Sequence, residues 1–501
     1  MVLLITNMAF VGLDIGTNNC CCYIIKEQPN TDVCIPELVP SQLGHHLTPS
    51  MVAYTSTDIL TGELAQQQQQ ANPNNTFYEF KRVLGRSFEA QQLAKDAKHW
   101  PFNLVRRQDG TPQYVTNHKN TTLLLTATQL YQNLADHMAR LIKQHASTVY
   151  NLVVTVPAHF DHNQRRETLS VLKATNIAPA IHVCNEPTAA AAAYAERDHN
   201  IQPGESILVF DLGAGTLDVT VLETLSDGTF SILGSKGADD LGGADFDRHV
   251  LHHYSLFYKK ETKAVLHNHK TRLVMARQAC EQAKKILSLA ESASVALPDV
   301  PVWSFTRDQF NHWIAHDLER CAAVVDEVLI LTNQSDIKHL ILVGGSTRVL
   351  AVKELLSNLF PNSQQHSSIN VDECVALGAS YLAKALHNTD VVSQERLSKD
   401  LGIRTMTNTM HTLVAANTVL PAKASQKLFP QHNKQKTVEI AIFQGDDPCT
   451  DHNALLGTVR LTGLRPGQPG VLLQMTVKQD GCVEVSVEDD DGHKVESVVR
   501  L

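Results

Sequence analysis

The stretch ILVFDLGAGTLDVTVLE, residues 207–223, decides how the rest of the chain is read. Four apolar residues run into Asp211, a Gly-Ala-Gly turn follows, and an alternating strand leaves through Asp218, Val219 and Val221. Buried strands thus frame a turn whose backbone is bare enough for another group to approach closely. Such a turn aims several main-chain N–H groups at one point, which suits a phosphate, and Asp211 is placed to hold a hydrated Mg²⁺ beside it. Alone, the same residues also read as a plain glycine-rich hairpin.

Residues 10–25, FVGLDIGTNNCCCYII, repeat the layout: apolar strand, Asp14, a polar turn of Gly16, Thr17, Asn18 and Asn19, then a second apolar strand. Two such hairpins predict a duplicated fold with the turns facing each other across a cleft. Two opposed phosphate turns make one nucleotide site.

At 501 residues the chain exceeds one ordinary core, so about two or three domains are expected. Hydrophobic content of 43% with 19% charged residues is that of a globular protein. A net charge of −9, with no basic run or aromatic stripe, argues against nucleic acid as a partner. No apolar run approaches a membrane span, and the opening MVLLITNM lacks the basic start of a signal peptide. The ten cysteines form no C-x-x-C pair, so reduced, partly buried thiols and a cytoplasmic setting are expected. The 24 histidines are scattered; His252-His253 and His267 with His269 lack a nearby third ligand and read as surface residues.

Taken in order, the glutamine tract at 66–70 reads as a solvated helix end or loop. In FYEFKRVLGR, residues 77–86, Lys81 reads by itself as a snorkelling lysine. Residues 126–145 have helical spacing, and LVVTVP at 152–157 is a buried strand followed by a helix. A further strand at 181–184 delivers Glu186 to the start of an alanine-rich helix, either as a water-positioning group or as a helix-capping acid. Gly242 and Gly243 form a turn into the next helix. A helix over 272–289 carries Glu281, Lys284, Lys285 and Ser288, ordinarily a solvated face. LILVGGSTR, residues 340–348, is a third strand ending in a close-approach turn, and 373–386 make another small-residue helix. Periodicity is lost at 389–399, the expected interdomain linker between an α/β domain at 8–388 and an all-β domain at 400–501. There, Val438, Ile440 and Ile442 alternate with polar or small neighbours, and 473–477 and 483–487 alternate around Asp480-Gly481, so a small β-sandwich is expected.

DIGTNN, EFKRVLGR, VVTVPAHF with QRR, NEPTAAA, VFDLGAGTLDVTVLE, LGGADFD, CEQAKKILS and LVGGSTR, in that order, resemble the DnaK-type 70-kilodalton heat-shock chaperone family over nearly the whole chain. The resemblance implies a duplicated, two-lobed actin-like ATPase domain followed by a β-sandwich, with ATP or ADP, Mg²⁺ and potassium as ligands. Asp14 and Asp211 match the aspartates that hold Mg²⁺ through water. Gly16, Thr17 and Asn18 fall in the first phosphate loop, and Gly213, Ala214, Gly215 and Thr216 in the second. Lys81 matches the lysine at the γ-phosphate and attacking water, and Glu186 the carboxylate that orients that water. Gly242, Gly243, Glu281, Lys284, Lys285, Ser288, Gly344, Gly345, Ser346, Arg348 and Asp372 fall where the family encloses the rest of the nucleotide. Pro157 and Arg165 match an interdomain relay, and Ile403, Met406, Val438 and Ile440 a site for extended apolar peptide. Without the family those last four read simply as core.

The implied function is ATP-dependent binding and release of unfolded segments, with slow hydrolysis serving as a conformational switch. The implied partners are unfolded polypeptides, a J-domain co-chaperone and a nucleotide exchange factor. Several residues depart from the pattern. Asn18 replaces a threonine, Ala214 replaces a glycine and requires a negative φ, and His182 replaces an arginine used in J-domain docking. The linker reads Val391-Val392-Ser393-Gln394-Glu395, and the sequence ends at Leu501, where the family continues into a helical lid. These departures leave open a second function, a nucleotide-sensing regulator with little ATPase activity acting through a dedicated partner. A sugar or acid kinase of the same superfamily lacks a comparable β-sandwich.

Overall fold

The computed structural model describes residues 8–499 except 28–34, 87, 89–90, 159, 161, 198–200, 227–229, 239, 367, 389–396, 398, 417, 430–431, 433–434, 466–469, 479–481 and 490. The linker residues 391–395 and the Asp480-Gly481 turn lie outside the described residues. The chain divides into two compact units: Met1–Ala158 with Glu167–Val391, and His159–Arg166 with Val392–Leu501.

The first unit contains the same sheet twice. In one, the path runs Ala180–Asn185, Val149–Val156, Ala9–Ile15, Asn19–Lys26, Pro36–Leu38. In the other it runs Gln364–His366, His339–Val343, Ser206–Leu212, Leu217–Thr224, Phe230–Ala238. Each central strand pairs antiparallel with its hairpin partner and parallel with the strand on its other side. The central strands read as unbroken apolar runs because helices cover them, as parallel pairing requires.

Two of those helices, Glu186–Arg197 and Cys374–Asn388, lie in the core shared by the sheets, with Phe10, Val153, Val209 and Ile341. Their small residues have a steric reason. A Cβ on Gly378 would overlap the carbonyl of Ala189, and one on Gly12 the backbone of Ala376 and Ser380. Separate cores fill each lobe; the first is closed by Ala127–His145, whose Thr126–Gln129 capping box ties off its free N–H groups.

The glutamine tract is more than a solvated end. Gln69 is buried, Gln278 Nε2 donates to its Oε1 at 2.7 Å, and Gln70 Nε2 donates to Gln278 Oε1 at 2.8 Å. Cys20, Cys21 and Cys22 are all buried, since their strand is covered on both faces.

The second unit holds two four-stranded antiparallel sheets. Leu401, Ile442, Leu473 and Val485 fill the space between them. The alternation of Val471–Val477 and Val483–Asp489 puts their valines inward, the arrangement expected of a sandwich. Among the described residues no helix is long and apolar enough to cross a membrane.

Candidate functional site: a nucleotide cleft between paired turns

The two hairpins close with the same bond. Gly16 N donates to Asn19 O at 2.9 Å, and Gly213 N donates to Thr216 O at 3.0 Å. Each leading glycine also has its carbonyl held by a serine from elsewhere: Ser50 Oγ on Gly16 O at 2.7 Å, Ser346 Oγ on Gly213 O at 2.8 Å. The turns face each other, for a Cβ on Gly215 would stand 3.1 Å from Thr17 Cγ2. Among the described residues, none accepts from the main-chain N–H groups of Thr17, Asn18, Ala214 or Gly215. Those donors suit an oxyanion. Ala214 has no positive φ, so its Cβ is accommodated without backbone strain.

A cavity of about 670 Å³ opens over these turns. It is lined by Asp14, Gly16, Thr17, Asn18, Lys81, Pro157, Glu186, Asp211, Gly213, Ala214, Thr216 and Gly243 at one end. Glu281, Lys284, Lys285, Ser288, Gly344, Gly345, Ser346, Arg348 and Asp372 line the other. Gly242 and Gly215 stand behind the wall: a Cβ on Gly242 would meet the backbone of Ala214 at 2.6 Å. Several of the charged lining side chains are held by ion pairs: Arg348–Asp372 at 2.5 Å, Lys285–Glu281 at 2.7 Å and Lys284–Asp247 at 2.8 Å. The charged helix face is therefore a cavity wall.

Lys81 does not snorkel. It lies in the short turn Phe80–Arg82, is 6% exposed, and its Nζ donates to Glu186 Oε1 at 3.1 Å. Three buried or half-buried carboxyls surround this one ammonium. Burial raises the Glu186 carboxyl to about 7, with Lys81 opposing the rise. Burial raises Asp14 too, against Lys81 and the Thr155 hydroxyl that donates to Asp14 Oδ1 at 3.0 Å. Asp211 is raised well above the carboxylate range by burial and by Glu186, Asp218 and Asp14. Lys81 stays charged because Glu186 and Asp14 outweigh its burial. The carboxyls outnumber the ammonium and hold protons in the bare cleft, and a divalent cation can take the protons' place; Asp14 and Asp211 fit Mg²⁺ held through water.

Three residues of consequence were missed in the sequence. Asp218 is 1% exposed and faces Asp211 in the hairpin register; a four-residue turn closing Leu212 onto Leu217 would have given that pairing. Thr155 stands opposite Asp14 in the parallel ladder. Arg82 Nη2 bonds Asp245 Oδ2 at 3.0 Å and reaches Ala214 O at 3.4 Å. Arg82 joins a buried network in which Arg248 bridges Asp96 at 2.9 Å and also Asp245, and Arg277 holds Glu79 at 2.6 Å. Burial alone would raise Glu79, but Arg277, Arg82 and Arg248 hold it down at about 2.

Arg165 is not part of this cavity; its Nε donates to Phe160 O at 3.0 Å within the second unit. His182 is half-buried on the strand Ala180–Asn185. In the sandwich, Ile403, Val438 and Ile440 are core residues, whereas Met406 is 82% exposed.

Paired phosphate turns, a buried lysine and clustered carboxyls on a duplicated sheet, with a β-sandwich unit appended, define a nucleotide-driven ATPase of the actin-like kind. The family model for the Hsp70 protein matches residues 10–500. Heat shock cognate 70 kDa protein 3 of Dictyostelium discoideum is 32% identical over 98% of this chain and 80% of its own length. A heat shock 70 kDa protein of Neurospora crassa is 33% identical over 95% of this chain and 75% of its own. Chaperone protein dnaK of Cyanophora paradoxa is 31% identical over 97% and 79%. The chain belongs to the Hsp70 family. It is an ATP-dependent molecular chaperone that binds and releases unfolded or extended polypeptide segments, uses ATP, ADP and Mg²⁺, and works with co-chaperones. The purely regulatory alternative is not favoured.

Proposed function

We propose that hydrolysis in this cleft is slow and depends on four side chains. Lys81 neutralises charge on the terminal phosphoryl group, and Glu186, held beside it at 3.1 Å, orients the attacking water. Thr216 supports that water from the second turn, and Asp211, with Asp14, fixes the metal's water shell. Bound Mg²⁺ supplies charge neutralisation and a template for the phosphates. The N–H groups of Thr17, Asn18, Ala214 and Gly215 cradle phosphate oxygens. Gly243, Gly344, Gly345 and Ser346 admit the nucleotide closely, Gly242 supports them by admitting the second turn, and Glu281, Lys284, Lys285, Ser288, Arg348 and Asp372 enclose the nucleoside. Potassium is a further ion for the carboxyl-rich end. The observation that carries this reading is the excess of buried carboxyls around Lys81 beneath two opposed turns.

The boundaries we assign are 8–388 for the ATPase domain, 389–399 for the linker and 400–501 for the sandwich. Pro157, on the cavity wall, and Arg165 relay nucleotide state to peptide affinity. Of the four peptide-site residues, Met406 offers an exposed contact, while Ile403, Val438 and Ile440 shape the floor from the core. A J-domain protein and a nucleotide exchange factor are the co-chaperones, with His182 altering the J-domain contact. A cytoplasmic setting agrees with cysteines that are all free among the described residues.

Single-turnover ATP hydrolysis with and without an extended apolar peptide tests this. Peptide changes the wild-type rate, and Lys81→Ala lowers it by about 10²- to 10³-fold. Tight nucleotide binding with no turnover, even with peptide and a co-chaperone, would sink the reading.

A further inference from the structure

Buried polar atoms without a partner are rare, because each has given up hydrogen bonds with water. Two such groups meet behind the first phosphate turn, and neither lines the cavity. Glu63 is 5% exposed, and neither of its carboxylate oxygens has a hydrogen-bond partner among the described residues. His137 is 4% exposed, and its Nε2 lacks one as well. Glu63 opens the helix Glu63–Gln67, while His137 lies on the inward face of Ala127–His145. They are neighbours in space: a Cβ on Gly62, the residue before Glu63, would lie 3.3 Å from His137 Nε2 and 3.1 Å from Thr48 Cγ2. Burial and Arg140 hold the His137 imidazole below its ordinary range, with Glu63 opposing them, so the ring is neutral at neutral pH.

One layer of chain separates this pair from the phosphate turn. Thr48 and Pro49 pair with Cys20 and Asn19. Ser50 N donates to Asn18 O at 2.8 Å, and Ser50 Oγ to Gly16 O. Gly62 N in turn donates to Met51 O at 3.0 Å. Segment 48–51 is thus fastened to the turn on one side and to Gly62 on the other, with His137 standing beyond Gly62. Two ligand groups fall short of the four that a structural zinc site needs, so a bridging water is the simpler occupant.

We propose that His137 Nε2–H donates to one buried water that the Glu63 carboxylate accepts from, and that this bridge seats segment 48–51 and keeps the first phosphate turn in its nucleotide-binding shape. Both are positioning residues. Neither touches nucleotide.

The test titrates the full chain with a fluorescent adenine nucleotide and records thermal midpoints alongside. His137→Leu strands the Glu63 carboxylate, lowers the midpoint and weakens nucleotide binding about tenfold. His137→Gln keeps a donor and restores affinity to within about threefold. The double variant Glu63→Leu/His137→Leu removes both polar groups, so most of the midpoint returns while affinity stays weak. Affinity that recovers together with the midpoint in the double variant would show plain core packing and overturn the proposal, as would unchanged affinity in His137→Leu. Histidine ¹⁵N shifts of the wild-type chain need no variant: a neutral Nε2–H tautomer at His137 is expected, and an Nδ1–H tautomer overturns it.

Discussion

The two phosphate turns are near copies in sequence and closing bond, yet they are held differently. The first rests on one short segment, where the Ser50 N–H and hydroxyl reach Asn18 O and Gly16 O and Pro49 pairs with Asn19. The second is locked on several sides. Ser346 holds Gly213 O, and the first amides of the helix Gly243–Thr262 donate to Gly213 O at 3.0 Å and Ala214 O at 2.8 Å. That helix has no side-chain cap; the turn's carbonyls satisfy its free N–H groups instead. Arg82 adds a contact to Ala214 O. Duplication thus preserved the chemistry of the turn and let its support diverge. The first turn is the more adjustable of the two.

The harshest way to break this comparison is Gly242→Ala. Gly242 has extended backbone, so only space forbids a side chain, and the new Cβ would sit 2.6 Å from the Ala214 backbone. Overpacking at such a contact costs about 1–3 kcal/mol or more, and here it pushes the helix off the turn. Calorimetry with ADP and Mg²⁺ should show nucleotide binding weakened by two orders of magnitude or more, on the order of 3 kcal/mol. Near-native affinity would mean that the helix lock is dispensable.

A second lever is pH, because both turns flank the same crowded carboxyls. Glu186 binds its proton more tightly folded than unfolded, up to about 7 against a usual 4.5. Its stabilising effect is therefore complete below the unfolded value and is lost as pH rises through the folded one. Asp14 and Asp211 shift in the same direction. The nucleotide-free protein should lose stability, on the order of 1–3 kcal/mol, between about pH 4.5 and pH 7. Mg²⁺ with ADP should flatten that fall by taking the protons' place. Glu79, held near 2, acts in the opposite sense but only at more acid pH. Thermal midpoints across this range, with and without ligand, decide it; a bare protein with no slope contradicts the clustered-acid account.

The serines sharpen the contrast directly. Ser50→Ala removes the only side-chain bond to the first turn's carbonyl among the described residues, whereas Ser346→Ala leaves Gly213 O still bonded to Gly243 N. One lost hydrogen bond is worth about 1 kcal/mol, so Ser50→Ala should weaken nucleotide binding about fivefold. Ser346→Ala should weaken it by less than about twofold. Equal effects, measured in parallel titrations, would mean that the turns are equally supported.

Much of this architecture is legible in the chain because local patterns carry it. Apolar runs ending in Asp14 and Asp211 and small-residue turns mark the hairpins, and strict alternation marks the sandwich. What escaped is set by tertiary pairing. Lys81 alone looks like a surface residue, and only the fold brings Glu186 to it from a distant helix start. Gln69 and Gln70 read as low-complexity until Gln278 meets them. The arginine network of Arg82, Arg248 and Arg277 assembles from three separate elements, and no spacing in the sequence announces it. Ile403, Val438 and Ile440 show the reverse case, where the pattern gives the core, the structure places them there, and a peptide-site role is what we propose.

Ala214 is the substitution that most separates this chain from a turn of three glycines, and the structure makes its effect small. Its φ is not positive, so alanine pays no left-handed penalty, and its carbonyl is held by Ala244 N whatever the side chain. Replacing it with glycine adds only backbone freedom, which costs roughly 0.5–1 kcal/mol of stability. Ala214→Gly should therefore leave nucleotide affinity and single-turnover hydrolysis within about threefold of wild type, with a slightly lower thermal midpoint. A large gain in hydrolysis would show that the methyl group, not the support beneath it, governs the turn. The locked second turn would then be the place where this chain restrains its own chemistry.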